Sequence, residues 1–156
     1  NHLRILSGLY GLLRPLDLIQ PYRLEMGTKL VTPEAKDLYA FWSSKLTSAL
    51  NGAIRKSGNQ TLINLASNEY YNVIDKQSLN GSVITPVFKD KKKDEFKVIS
   101  FFAKKARGAM SDYIVRNRVS DPDGLKEFKG LGYRFNKKLT RDENWVFTRK
   151  ESPKKK

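Results

Sequence analysis

No cysteine occurs among the 156 residues, and the single histidine, His2, stands next to the first residue. The first absence excludes disulfides, thiolate metal sites and cysteine-based redox sensing in this chain. The second leaves serine–histidine triads and histidine metal clusters without material, so no metal site is expected, and no cofactor. No run approaches the roughly 18 apolar residues of a membrane-spanning helix, and no membrane partner is expected. The opening residues lack the charged-then-apolar pattern of a secretory signal, which makes cytoplasm the expected location. Acidic residues are also scarce: 16 Asp+Glu stand against 30 Lys+Arg, a formal net charge of +14.

Hydrophobic residues make up 39% and aromatics 11%, enough for a packed core. An excess of positive charge this large attracts polyanions, of which nucleic acids and anionic membranes are the usual ones. A basic protein without such a partner has the same composition. Asn1-His2 runs at once into the apolar strand Leu3-Leu6, so residues 1–150 read as one domain incomplete at its N-terminus, and 151–156 as a disordered basic tail.

Along the chain, Ser7-Gly8-Leu9-Tyr10-Gly11 signals a turn after that strand, and Pro15, Pro21 and Gly27 argue against continuous helix over 15–30. The clearest helix follows, with Thr32 as the expected N-cap and Pro33 at the first helical position. Leu38, Trp42, Leu46, Ala49, Leu50 and Ala53 give it an apolar stripe, and Gly58 ends it. Thr61 to Ala66 reads as a buried strand. Val83–Phe88 and Phe96–Phe102 read as a hairpin around a Lys89–Glu95 loop, with Pro86 placing the first strand at an edge or bulge. Ala103–Val119 reads as a helix, and Tyr133-Arg134-Phe135 with Trp145-Val146-Phe147 as a second hairpin. The expected class is α/β, with a mixed sheet, hairpins and flanking helices.

Three groups of residues have the chemistry to bind an anion. On the helix, Lys104, Arg107, Ser111 and Arg118 are spaced to share one face, with Lys105 and Arg116 flanking it and Ala106, Met110, Tyr113 and Ile114 opposite. Such a row can track phosphates. Gly108 within it costs roughly 1 kcal/mol against alanine, which close approach of a ligand or of another backbone would offset. A solvated basic face with a packing glycine fits the same residues. In the second group, Gly8 and Gly11 let backbone N–H groups approach an anion, with Arg14 and Arg23 adding charge and Tyr10 and Tyr22 placed to stack on bases. An ordinary tight turn has the same pattern. Gly130-Leu131-Gly132 is a weaker version of that hairpin. The third group is Asn64 to Tyr70, at a strand end, where Glu69 is the candidate general base; a capping or ion-paired carboxylate is the other reading.

Four blocks carry a resemblance: Leu6-Ser7-Gly8-Leu9-Tyr10-Gly11-Leu12-Leu13-Arg14-Pro15-Leu16-Asp17, Gln20-Pro21-Tyr22-Arg23-Leu24-Glu25-Met26-Gly27, Asn64-Leu65-Ala66-Ser67-Asn68-Glu69-Tyr70, and Ser100-Phe101-Phe102-Ala103-Lys104-Lys105-Ala106-Arg107-Gly108. In this order they are similar to the signature of the YaaA peroxide-stress family, over residues 3 to about 119. The resemblance implies a cytoplasmic bacterial protein that helps cells survive hydrogen peroxide by limiting free intracellular iron. It also implies DNA binding, a mixed α/β fold with a basic cleft, and a helix-hairpin-helix-like element. The expected partner is therefore DNA, duplex or structured, held mainly through phosphates and largely independent of sequence. The competing function is an enzyme acting on a nucleotide or nucleic-acid base, with Glu69 as its base. Direct iron handling is not expected, because clustered ligands are missing and the net charge repels cations.

Overall fold

The structure, a computed structural model, describes residues 2–150; the segment 151–156, read above as a basic tail, lies outside the described residues. The chain folds as two compact units. One takes in the residues up to Leu62 together with Ala66–Ser82, and the other comprises Ile63–Leu65 and resumes at Val83.

In the first unit, β1 (Ile5–Ser7) pairs antiparallel with β2 (Gly11–Leu13). Ser7 makes the turn between them, its Oγ accepting from the N–H of Tyr10 at 2.9 Å and of Leu9 at 3.3 Å. Residues 14–37 contain no helix, which over 15–30 agrees with Pro15, Pro21 and Gly27; Pro33, expected at the first helical position, lies before the helix. The 20-residue helix α1 (Leu38–Ser57) begins at Asp37, whose carboxylate accepts from the Ala40 N–H at 2.8 Å. Thr32 is therefore not the N-cap. It closes a separate turn, its Oγ1 accepting from the Ala35 N–H at 3.1 Å. Leu38, Leu46 and Leu50 of the expected stripe are buried, with Ile54 one turn further on, whereas Trp42 and Ala53 are half-buried and Ala49 is exposed; Gly58 ends the helix at φ 73°. The short helix α2 (Asn68–Tyr71) is capped by Ser67.

The second unit holds most of a mixed sheet of strand order β3-β4-β7-β6, with β5 pairing onto β4; Thr61 and Leu62 of β3 and Ser82 of β4 fall in the first unit. Its strands are β3 (Thr61–Ile63), β4 (Ser82–Lys92), β5 (Glu95–Lys97), β6 (Arg134–Phe135) and β7 (Asn144–Arg149). β4 and β7 run parallel, whereas β5 and β6 pair antiparallel with their neighbours. Helix α3 (Ser100–Arg116) lays Ala106 and Met110 against Phe88, Phe128, Tyr133 and Phe147, in a core built largely of edge-on aromatic pairs. This is the mixed α/β class that the alternation of elements predicts.

Several expectations change here, and the strand read as buried over Thr61–Ala66 covers only the half-buried Thr61–Ile63. The first hairpin strand does not stop at Phe88 but runs on to Lys92, and only Lys93-Asp94 turn, with Lys93 at φ 57°. Phe101 and Phe102, read as strand, open α3. Pro86 sits opposite Trp145 inside the sheet, not at its edge. The N–H of Thr85 bonds toward β7, and the Ile84 carbonyl accepts from Asn64 on the β3 side, so the position without an N–H faces the β3 side, beyond the end of β3 at Ile63.

The polar stretch after Phe88 stays extended because Asp90 is neutralised from far along the chain. Asp90 is fully buried, and the parallel register sets it opposite Arg149. The Arg149 Nε donates to Oδ1 at 2.7 Å, and the Tyr133 hydroxyl donates to Oδ2 at 2.7 Å. A further N–H of Arg149 donates to the Leu131 carbonyl at 3.0 Å. Burial, then the bond to Asp90, pushes the Tyr133 phenol above the usual tyrosine range. A raised folded-state pKa means that stability is intact below the unfolded value of about 10 and falls as pH climbs past it. Alkaline denaturation of the wild type is thus expected to be steeper above pH ~10 than that of Tyr133→Phe, whose neutral-pH stability is lower by about 1 kcal/mol. Parallel curves for the two proteins would contradict this.

Candidate functional site

The first two sequence blocks and the Ala66–Tyr70 end of the third meet in the first unit. A Cβ on Gly8 would sit 2.5 Å from the Leu24 carbonyl oxygen, and one on Gly11, at φ 73°, would sit 2.8 Å from the Trp42 ring. The Trp42 indole N–H donates to the Gly8 carbonyl at 2.9 Å. Both glycines are thus required by their own chain, which is the tight-turn reading of this motif. The Tyr22 hydroxyl is hydrogen-bonded to Ser7 Oγ, the Tyr10 hydroxyl accepts from the Gln20 N–H at 3.1 Å, and the two rings meet edge-on at 5.3 Å. Tyr22 stays exposed and Tyr10 is half-buried.

Arg14 is exposed but taken up by Asp17, at 2.8 Å between Nη2 and Oδ1. The hydrogen bond with Arg14 holds Asp17 below the usual carboxylate range, and the same bond raises Arg14. Arg23 is exposed. Glu69 Oε1 accepts from the Gly27 N–H at 3.0 Å, and the Tyr39 hydroxyl donates to the Glu69 carbonyl at 2.9 Å. That gives the candidate base a part in joining the second and third blocks. Burial, followed by the charge of Glu69, pushes the phenols of Tyr39 and Tyr70 up, with Tyr22 and Glu25 adding to the effect on Tyr70. A separate open groove of about 550 Å³ follows α1 past Ser44, Ser48 and Asn51 to Arg55, and no candidate residue lines it.

The cationic helix lies in the second unit. Its inner face is as the periodicity predicts, with Ala106 and Met110 fully buried and Tyr113 and Ile114 packed against the same core. Lys104 and Lys105 are exposed, and neither forms an ion pair among the described residues. Arg107 and Ser111 sit at the half-buried margin, and desolvation lowers the Arg107 pKa. Arg116 pairs with Asp112 at 2.6 Å. Arg118 does not share this face: the helix ends at Arg116, and Arg118 takes φ 49° in the turn beyond it. The sequence spacing carried it onto the helix, but the chain leaves helical geometry two residues too early.

Gly108 lies on the solvent side of α3, and a Cβ built there would meet nothing within 4 Å. No contact of its own unit therefore explains the missing side chain. Gly108→Ala is expected to stabilise the fold by about 1 kcal/mol, while Gly8→Ala destabilises it by about 1–3 kcal/mol through the clash with the Leu24 backbone. Thermal melts of the two variants that shift in the same direction would contradict this assignment.

Neither glycine pair lies between two α-helices among the described residues. Gly8 and Gly11 join two strands, and Gly130-Leu131-Gly132 links the 3-10 turn Pro122–Glu127 to β6. Leu131 there has φ 54°, and Gly130 is packed by the Phe128 ring. Sequence reasoning missed the solvent-facing apolar residues beside the lysines: Val98 and Phe101 are 54% and 55% exposed. Read as strand, Phe101 and Phe102 gave no clue; the helical register, which turns one outward and the other inward, is the signal that separates them.

Residues 1–139 match the family described as peroxide stress protein YaaA. A UPF0246 protein of Saccharophagus degradans is 58% identical over 151 residues, covering 97% of this chain and 59% of its own length. Similar proteins of Alteromonas mediterranea and Teredinibacter turnerae are 59% and 56% identical over the same 97% of this chain, covering 58% and 59% of their own lengths. The chain thus spans about three-fifths of the curated relatives it matches. On that sequence match, the chain belongs to the YaaA peroxide-stress protein family.

Proposed function

We propose that this protein binds DNA through phosphate contacts as part of the hydrogen-peroxide stress response in the bacterial cytoplasm, and that it limits free intracellular iron indirectly. The observation that carries the reading is the outer face of α3, where Lys104 and Lys105 are exposed, form no ion pair among the described residues, and stand one turn before a glycine whose backbone is bare. Lysines offer point charges to phosphates, and a bare helical backbone lets a strand come close. Arg107 and Ser111 at the margin add donors. The hairpin of β4 and β5, with Lys91, Lys92 and Lys93 exposed, leads into the same helix after only Val98 and Ile99. A net charge of +14 adds a long-range pull on polyanions.

Iron ligation has little to draw on: among the described residues, no group of three or more His, Cys, Asp or Glu is placed to hold a metal ion. An effect on iron therefore fits a route through DNA better than a route through coordination. The test is a titration of duplex DNA at rising salt. Phosphate contacts require log affinity to fall linearly with log salt, by about 0.9 per phosphate neutralised. A flat response, or no binding at low salt, would reject the reading.

A further inference from the structure

We propose that the outer face of α3 between Phe101 and Gly108 takes an unpaired stretch of DNA, with a base stacked on the Phe101 ring. The inference rests on the DNA-binding reading above and extends it by naming the form of DNA. The sequence places two phenylalanines side by side, and the helix gives them opposite roles. Phe102 turns inward, its ring 4.9 Å from the Arg149 guanidinium carbon. Phe101 turns outward and is 55% exposed, next to Val98 at 54%.

Lys105 Nζ stands 4.6 Å from the Phe101 ring centroid, so a cation and an open aromatic surface occupy one spot. Lys104 lies on the same side of the helix, and Gly108 follows one turn on with nothing where its side chain would be. Aromatic ring, cations and bare backbone thus succeed each other along about 10 Å of helix.

Duplex DNA presents phosphates outward and keeps its base faces stacked inside. Lysines alone would serve it, and an exposed phenylalanine would gain nothing. An unpaired strand presents both a backbone to neutralise and a π-face to cover, and every base has one, so stacking needs no sequence preference. A flexible lysine lying over the ring can turn to a phosphate when a base takes its place, keeping its charge in use.

The experiment compares a 20-nucleotide oligo-dT and a 20-base-pair duplex by fluorescence anisotropy, at one salt concentration, with the whole chain. Phe101→Ala is expected to weaken oligo-dT binding about tenfold and duplex binding less than twofold. Because Phe101 is a surface residue, its thermal melt reports whether the fold is kept. Phe101→Trp supplies a second readout: it should retain oligo-dT affinity and show emission quenching by oligo-dT beyond that of the wild type. Equal losses on both DNAs, no loss on oligo-dT, or no added quenching would each overturn the stacking proposal while leaving the DNA-binding reading in place. Failure of the wild type to bind either DNA at low salt would instead remove the underlying reading, and this one with it.

Discussion

Lys104→Ala combined with Lys105→Ala is expected to weaken duplex DNA binding on the order of a hundredfold at 50 mM salt and to flatten the salt slope by about 1.8. Both numbers follow from two lost phosphate contacts, each releasing condensed counterions with a slope near 0.9. The two effects belong together. A phosphate contact is sensitive to salt, whereas a contact through shape or apolar surface is not, so a fall in affinity with an unchanged slope would refute the assignment. Both side chains are exposed and neither is ion-paired among the described residues, so the melting curve should stay where it is. Arg107 is deliberately left intact in this test. It sits half-buried at the margin of the helix, and its removal would mix lost packing with lost charge.

Asp90→Ala should cause the largest loss of stability among single substitutions considered for the second unit, about 3–5 kcal/mol. With Asp90 gone, Arg149 keeps a charge that is almost wholly buried, and the Tyr133 hydroxyl loses its acceptor. At roughly 2–4 °C per kcal/mol for a chain of this size, the midpoint should fall by about 6–20 °C. The pair as a whole need not be favourable. Replacing both partners by leucine removes two desolvated charges at once and should recover much of the loss. A single variant that melts within about 1 kcal/mol of the wild type would show that water reaches this site and compensates the orphaned arginine.

The two kinds of positive charge in this molecule therefore do different work. Arg149 and Arg14 answer carboxylates of their own chain, Asp90 and Asp17, and help fix a strand and a turn. Lys104 and Lys105 answer none among the described residues, which leaves them to the proposed phosphate contacts. Counting basic residues does not separate these classes, but geometry does.

The amino-acid sequence by itself determined the mixed α/β class, both long helices with their inner faces, the late hairpin of β6 and β7, and the family, because these rest on local features. Leu38, Leu46 and Leu50 recur at helical spacing whatever surrounds them, and a family match is read from the residues alone. Only the tertiary structure decided that Lys89–Lys92 is strand and not loop. A polar run reads as solvated until Arg149, 59 residues further on, supplies the countercharge that lets Asp90 be buried. It also decided that Gly8 is bare for the sake of Leu24 while Gly108 is bare toward solvent. A missing side chain leaves the same mark in a sequence whichever neighbour required it, and the neighbour is known only once distant segments have been brought together.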